Sequence, residues 1–421
     1  MKRPSAAPLL VLILLGLAPR ADAQGQDFRF QWYGFVNPHY YADSRNVVGG
    51  REEMMLFYPK PVLRDSLGND LNSGWQSDML AITARLGVHI HGPKTLGAST
   101  GAHLEGDFTG ATNATIDNLR LRHAYIDLLW SGDSLSDGSS VWRLLMGQFW
   151  YPMMAYEIIP MTNPLNMGAP FALYARQPQV RLEYRHNYHW VAQVAASWQL
   201  DNMSQGLMDG SPAASTQFAR HSMLPELTAR LQYEGLALNG IFLGAGANLR
   251  SIQPVVPDPS GRLHRSFSWT LYGSYNFGHG LELQPPCVVK VQALLNNSLY
   301  EGCSLGGYMM LDDGSFRDWH FNTLWIDIAR GRGHWRPGLF MGYARNTDYG
   351  NADYACLFGR GHDIEYLWRL QPRLSYTTPQ GLSFVGEAEY TYAHYDEPVG
   401  NLRLSFSVVY AFQTHRNTTS P

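Results

Sequence analysis

Apolar and polar side chains alternate along most of this chain, in segments of roughly ten residues. The last segment shows the pattern best, with apolar residues at every second position: Leu402, Leu404, Phe406, Val408, Tyr410 and Phe412. The positions between them are mostly small or polar, and Arg403 is one of them. Because successive side chains of a strand point to opposite faces, the pattern predicts strands with one apolar face and one polar face.

The alternation predicts about sixteen strands, an even number that returns both ends of the chain to one side of the sheet. They are expected near residues 27–42, 79–91, 96–108, 118–130, 141–150, 176–187, 189–199, 224–234, 236–249, 266–277, 287–299, 319–330, 335–345, 363–376, 382–394 and 400–412.

The connections between these strands alternate in length. Those after odd-numbered strands are mostly long: 43–78, 151–175, 200–223, 250–265, 300–318 and 346–362. Those after even-numbered strands are mostly short: 92–95, 186–188, 235, 331–333 and 378–381. Long loops at one end and short turns at the other are typical of outer-membrane barrels, and a soluble sandwich has no reason to follow that rule. The predicted fold class is therefore all-β, a closed transmembrane antiparallel β-barrel of about sixteen strands.

The stretch from Asn118 to Arg185 combines two features of such a barrel. Arg120 and Arg122 share one face of their strand, and Arg181, Glu183 and Arg185 share one face of the third strand of the stretch. Between them, the segment 151–175 has four prolines and only one charge, Glu157. Proline keeps it out of a ladder, and so apolar a loop avoids water by packing. We expect it to fold into the barrel; the alternative places it across the barrel mouth or against a neighbouring subunit.

The first residues are typical of a secretory signal peptide. Lys2 and Arg3 precede an apolar run from Leu9 to Leu17, and Ala21-Asp22-Ala23 fits a small-x-small cleavage site. This predicts export by the general secretory route to the outer membrane, with a signal peptide at 1–23 and one barrel domain at 24–421. The alternative is a buried N-terminal helix. A formal net charge of -3 argues against a nucleic-acid partner.

Cysteine and histidine usage gives no metal or catalytic motif. Cys303 and Cys356 fall in predicted loops at the same end of the sheet and are candidates for a disulfide, which leaves Cys287 unpaired. His123 falls on the lipid-facing side of its strand, which indicates either a subunit interface or a slip in the alternation. No serine–histidine constellation is recognisable, so neither an enzyme nor a cofactor is expected.

Four short motifs carry a resemblance to the DcaP-like trimeric porin family, mainly over residues 104–185. They are LEGDF at 104–108, LRLRHAY at 119–125, GQFW at 147–150 and RQPQVRLEY at 176–184. The resemblance implies a sixteen-stranded, trimeric outer-membrane channel that admits small anions such as dicarboxylates, with the third extracellular loop folded into the lumen. Two features depart from the family. No coiled-coil segment precedes the barrel, which weakens the implied homotrimer, and Phe149 and Tyr151 stand where smaller or polar residues are usual.

The alternation also selects the pore-lining candidates: Arg120, Arg122, Arg181, Arg185, Glu105, Asp107, Glu183 and Glu157. Arginine keeps its charge and binds carboxylates bidentately, so the arginines are expected to attract small anions. The alternative is that they pair with acidic residues on neighbouring strands and stiffen the wall. Replacing Arg120 and Arg122 with glutamate is expected to shift the pore from anion towards cation preference, and replacing Arg369 and Arg373, on a distant strand, is expected to do less.

The predicted function is passive diffusion of small hydrophilic solutes through an outer-membrane porin surrounded by lipid. The second hypothesis is a non-conducting barrel that serves as a binding or scaffold component of an envelope complex.

Overall fold

Sixteen antiparallel strands follow one another along the chain and close into a ring. Each strand pairs with the next, and the last pairs with the first, with Gly34 opposite Phe412 and His39 opposite Ser407. The computed structural model describes residues 28–131, 140–163, 167–278, 286–350 and 353–414. The expected signal peptide at 1–23 lies outside these residues. The predicted closed barrel and its number of strands are confirmed.

The strands are named β1 to β16 in chain order. Their bounds are β1 Arg29–Val36 and His39–Arg45, β2 Ser73–Leu80 and Arg85–His91, β3 Ser99–Asp107, β4 Arg120–Ser131, β5 Val141–Trp150, β6 Arg176–His186, β7 Trp190–Ser197, β8 Glu226–Gly235, β9 Ile241–Ile252, β10 His264–Phe277, β11 Cys287–Asn297, β12 Phe321–Arg330, β13 Trp335–Asn346, β14 Tyr366–Thr377, β15 Leu382–His394 and β16 Val399–Gln413.

The strands β1 and β2 are each interrupted, and the two interruptions lie side by side. Pro38 has no N–H to donate to a ladder, and β1 breaks at this point. Phe35 lies opposite Arg85 before the break, and His39 lies opposite Leu80 after it, so β2 breaks at the same height.

The two faces of the wall follow the predicted alternation. In β16, Leu404, Phe406 and Tyr410 point outwards and are 46%, 48% and 58% exposed. Arg403 and Ser407 point inwards and are 3% and 0% exposed. The outer face is apolar because it meets hydrocarbon, and the polar residues are collected inside the ring.

Eight loops lie at one end of the barrel, which we call the outer end. They are L1 (46–72), L2 (108–119), L3 (151–175), L4 (198–225), L5 (253–263), L6 (298–320), L7 (347–365) and L8 (395–398). The other end, called the inner end, carries short turns such as 187–189 and 378–381, and both ends of the described chain. The predicted asymmetry is confirmed. The strand β2 begins at Ser73 rather than at residue 79, so L1 is shorter than expected.

The outer loops are tied together by small sheets of their own. Residues 306–310 of L6 pair with 316–319 of L6 and with 356–360 of L7. His320 of L6 lies 3.6 Å from Asp318 and 3.3 Å from Asp348 of L7. Burial disfavours the charged imidazole, but the hydrogen bond to Asp318 and the two carboxylate charges outweigh it and raise the pKa of His320.

None of the described helices has the length and apolar character needed to cross a membrane.

Candidate functional site

The described parts of L3, residues 151–163 and 167–175, lie in the interior of the barrel between the end of β5 and the start of β6. Near its start, Glu157 accepts a hydrogen bond from Arg230 of β8, with 2.8 Å between Oε2 and Nη2. Further along, the N–H of Met161 donates to Asp327 of β12 at 2.9 Å, and Asn163 is hydrogen-bonded to side chains of β15 and β16. The predicted inward folding of this loop is confirmed, and Glu157 is one of its anchors.

Apolar packing fixes the path of L3. Its most deeply buried side chains include Met153, Ile158, Phe171 and Leu173. They belong to one cluster with wall residues of β9 to β14. The Phe171 ring lies 6.2 Å from that of Phe340, and a Cβ at residue 342 would lie 2.5 Å from the Phe171 ring, so Gly342 makes the room. The apolar side chains of L3 are therefore removed from water by packing against one another and against apolar side chains of the wall.

L1 also enters the barrel, which the sequence analysis did not predict. Its residues 47–50 and 55–59 form a hairpin, and the side chains from Met54 to Tyr58 are buried. Arg403 of β16 donates to the carbonyl oxygens of Glu53 and Met54, at 2.8 and 3.0 Å. The apolar run at 54–59, within a long loop, was the signal that marked this segment for burial.

One arginine of the wall is hydrogen-bonded to both inserted loops. Arg369 of β14 donates to the carbonyl oxygen of Ala169 in L3 at 2.7 Å, and to those of Leu56 and Phe57 in L1 at 3.1 Å each. Its Nε lies 3.1 Å from Glu389. Arg369 thus faces the interior, as the alternation predicts, but it binds loop backbone rather than open lumen.

A cavity of about 280 Å³, the outer chamber, lies at the outer end among the loops. Four arginines line it, from L1, β4, β6 and L7: Arg51, Arg120, Arg176 and Arg360. Two acidic residues, Asp201 and Glu301, line it as well. Glu301 is ion-paired with the buried Arg250 of β9, so its charge is already compensated. Arg120 is likewise paired, with Asp107 of β3, which leaves three arginines against Asp201 and therefore an excess of positive charge.

The predicted residues of β3 and β4 meet behind the outer chamber. Arg120 binds Asp107 through two hydrogen bonds, at 2.9 and 3.2 Å. Arg122 bridges Glu105 at 2.6 Å and Asp107 at 2.7 Å, and its side chain is 1% exposed. Arg85 adds a third guanidinium, 3.7 Å from Glu105. Arg120 thus reaches the chamber, whereas Arg122 lies in the wall network that was the alternative interpretation.

A bulge in β4 explains the position of His123. Leu121 lies opposite Gly106, and His123 lies opposite Glu105, the residue before Gly106, so Arg122 is the extra residue. His123 therefore points inwards, where its ring stacks on His103 at 5.6 Å. Of the two explanations for its apparent lipid-facing position, the slip in the alternation is the one that the structure shows.

The predicted residues of β6 lie away from the outer chamber. Arg181 is fully buried beside L3, where it donates to the carbonyl oxygen of Trp150 at 2.9 Å and lies 3.7 Å from Glu183. Arg185, near the inner end, is paired with Glu234 at 2.6 Å. The residues that line the chamber but were not singled out from the sequence are Arg51, Arg176 and Arg360. Alternation could not find Arg51 or Arg360, because both lie in loops, and Arg176 begins a strand just after L3.

The positive charges around the outer chamber lower the pKa of Tyr174 in L3. Burial raises the pKa of a phenol, but the charges of Arg176, Arg122, Arg120 and Arg85 together outweigh it and lower the pKa of Tyr174 to about 7. The Tyr174 hydroxyl accepts a hydrogen bond from Arg176 at 2.7 Å. An anion in this chamber is therefore electrostatically favoured.

Other chemistry is not evident in the described part of the chain. All three cysteines are free thiols, so the disulfide considered between Cys303 and Cys356 is not formed. Cys303 lines the outer chamber. Within the described ranges, no group of three or more histidine, cysteine, aspartate or glutamate residues is placed to hold a metal ion.

Solved structures with the same fold include outer-membrane proteins. The outer membrane channel DcaP of Acinetobacter baumannii matches with a TM-score of 0.65 and 18% identity, over 94% of this chain and 100% of that chain. A trimer form of in-vitro folded OmpT from Vibrio cholerae matches with a TM-score of 0.51 and 9% identity, over 91% and 99%. Salmonella typhi OmpF, in complex with daunomycin, matches with 0.51 and 10%, over 92% and 98%. No protein-family model and no curated protein matches the chain. The fold is that of a porin, and the resemblance to the DcaP-like barrel is confirmed at the level of the fold.

Proposed function

We propose that the chain is an outer-membrane porin through which small anionic solutes, dicarboxylates among them, diffuse passively. The observation that carries this proposal is the outer chamber, which is lined by four arginines, one of them paired with Asp107, and by two acidic residues, one of them paired with Arg250. L1 and L3 fill part of the interior beside it, so a solute passes close to these charges. Fixed charge in a narrow, wet passage is how a diffusion channel selects its solutes.

Conductance separates this proposal from its alternative. Protein refolded in detergent and added to a planar bilayer is expected to give stepwise currents, with a reversal potential that indicates anion preference in a salt gradient. The alternative, a non-conducting barrel that acts as a scaffold in an envelope complex, gives no steps from protein that is folded by its β-rich spectrum. An absence of current from folded protein would therefore reject the channel.

The selectivity test is best made at Arg51. Its Nε has no hydrogen-bond partner among the described residues, so Arg51→Gln removes a chamber charge with little structural loss. Arg64→Gln is the matched control, because Arg64 also belongs to L1 but is exposed and paired with Glu397 outside the chamber. We expect R51Q to reduce anion preference, more strongly at low salt, and R64Q to leave it unchanged.

Replacing both Arg120 and Arg122 with glutamate is a poorer test than R51Q. It would place two new carboxylates beside Glu105 and Asp107, which Arg120 and Arg122 now bind. Leaving buried carboxylates without their cations is strongly destabilising, by about 3–5 kcal/mol for a broken buried pair. Such a variant would report folding before it reported selectivity.

We also propose that the barrel works as a homotrimer in the outer membrane. The support is the fold it shares with OmpT of Vibrio cholerae, which has been solved in a trimer form. Light scattering of the detergent-solubilised protein, corrected for bound detergent, is expected to give the mass of three chains. A monomer mass would reject the trimer and leave the channel proposal intact.

A further inference from the structure

A second cavity lies on the inner side of L3, between the loop and the wall. This inner chamber measures about 190 Å³ and is bounded by residues 161–163 of L3 and by β12 to β16. Three arginines, Arg330, Arg336 and Arg373, line it, and no acidic residue is among its described lining residues. The volume is below the roughly 300–1,000 Å³ of sites for drug-sized ligands, so it suits a molecule of a few carbon atoms.

Three buried donors in this chamber have no partner within the described part of the chain. They are Nη2 of Arg373, Nε of Arg336 and the hydroxyl of Thr162 in L3. Arg373 is only 8% exposed. Buried polar groups are almost always hydrogen-bonded, so unpaired donors on three residues that line one cavity indicate a ligand that brings acceptors.

The contacts of Arg336 and Arg373 with the wall leave other N–H groups of the two guanidinium groups unpaired. Arg336 donates through Nη2 to Thr377 at 2.6 Å, which leaves its Nε unpaired. Nη1 of Arg373 lies 2.7 Å from Asp327, which also accepts the N–H of Met161 in L3. Glu387 of β15 lies opposite Arg373 in the strand register and accepts the N–H of Asn163 at 3.0 Å, although it is not among the lining residues. The three arginines of the chamber outnumber these two carboxylates, Asp327 and Glu387.

The absence of a side chain at Gly338 makes room for the Arg373 guanidinium. A Cβ at residue 338 of β13 would lie 2.6 Å from Cζ and from Nη2 of Arg373, so the guanidinium lies against backbone that has no side chain. Gly338 has no positive φ, so alanine fits the backbone there. Alanine would push the guanidinium aside without changing any charge.

We propose that the inner chamber is a second anion site, which binds a small carboxylate through Arg336, Arg373 and Thr162 on the inner side of L3. It deepens the proposed function and rests on it only for the class of ligand. A carboxylate supplies two oxygens with several lone pairs, and guanidinium groups bind it through paired N–H donors. A solute that leaves the outer chamber would then meet a second arginine site beyond the loop.

The test is a calorimetric titration of succinate into the folded, detergent-solubilised protein at low ionic strength. We expect two binding components in the native chain. Arg336→Gln and Gly338→Ala should each weaken one component at least tenfold, and R51Q should weaken the other. Arg185→Gln is the control, because it removes an arginine near the inner end that does not line the chamber.

The outcomes distinguish this inference from the proposed function. If R336Q and G338A are folded and bind succinate as the native chain does, the inner site is wrong even when the channel conducts anions. If the chain gives no current but loses one component of succinate binding in both variants, the channel is wrong and the site stands. Because G338A keeps every charge, its effect separates a shaped site from a general positive field.

Discussion

The anchoring of L3 is measurable at one side chain, Phe171. This ring is 0% exposed and packs against Phe340 in the space that Gly342 leaves for it. Replacing a fully buried phenylalanine by alanine costs about 3–5 kcal/mol. The loss falls on the loop rather than on the barrel, because the strands keep their ladders. With about 1.4 kcal/mol per factor of ten, the population of detached L3 should rise roughly a hundred- to several-thousand-fold.

Amide hydrogen exchange measures that population directly. The N–H groups of Phe171 and Ala172 donate to Gly168 within L3, at 2.9 and 3.0 Å, and they exchange when the loop opens. In Phe171→Ala these amides should exchange faster by the factor above, with unchanged exchange in the barrel strands, and single-channel currents should become noisier. Phe406→Ala is the control, since this ring points outwards from β16. If F171A is folded and exchange in L3 matches that of the native chain, apolar packing does not hold the loop.

Three further predictions follow from loop residues. Anion preference should fall as the pH rises through about 7, because Tyr174 becomes a phenolate in the outer chamber, and Tyr174→Phe should abolish that step in the reversal potential. Maleimide should label three thiols in denatured protein isolated without reductant; a single label, located at Cys287, would mean that Cys303 and Cys356 pair after all. The pKa of His320 is raised, so its stabilisation of L6 and L7 is complete below about pH 6.5 and is lost as the pH rises through the folded value. Proteolysis of L7 should therefore be faster at about pH 9 than at about pH 6, and a rate independent of pH would refute this role of His320.

Most of the barrel was predictable because its environment repeats. Every strand separates hydrocarbon from a polar interior, so one rule of alternation applies sixteen times, and β16 follows it along nearly its whole length. L3 was predictable for a related reason. A loop with one charge has to pack against something, and the barrel wall is the nearest surface.

The rest depends on contacts that alternation does not contain. A single extra residue at Arg122 turns His123 inwards, and nothing in the local pattern marks a bulge. L1 was predicted only as part of the long connection 43–78, and the length of a connection does not show whether it folds into the barrel. Parity placed Arg122 and Arg181 on the correct face, but it could not show that Arg122 lies within a wall network and Arg181 beside L3.

The interior arginines perform two tasks that the structure separates. Arg230, Arg369 and Arg403 donate to backbone carbonyl oxygens of L1 and L3. A carbonyl oxygen is present at every residue, so these hydrogen bonds do not depend on the side chains that the loops carry. Arg51 lies in L1 and lines the outer chamber, and its Nε has no hydrogen-bond partner among the described residues. Charge at this position can therefore change while L1 keeps its place. A variant such as R51Q should consequently alter selectivity without altering loop exchange, whereas F171A should alter loop exchange through packing alone. If R51Q and F171A each changed both ion selectivity and amide exchange in the loops, the position of the loops and the charge of the pore would be coupled. The division between arginines that anchor the loops and arginines that set selectivity would then be wrong.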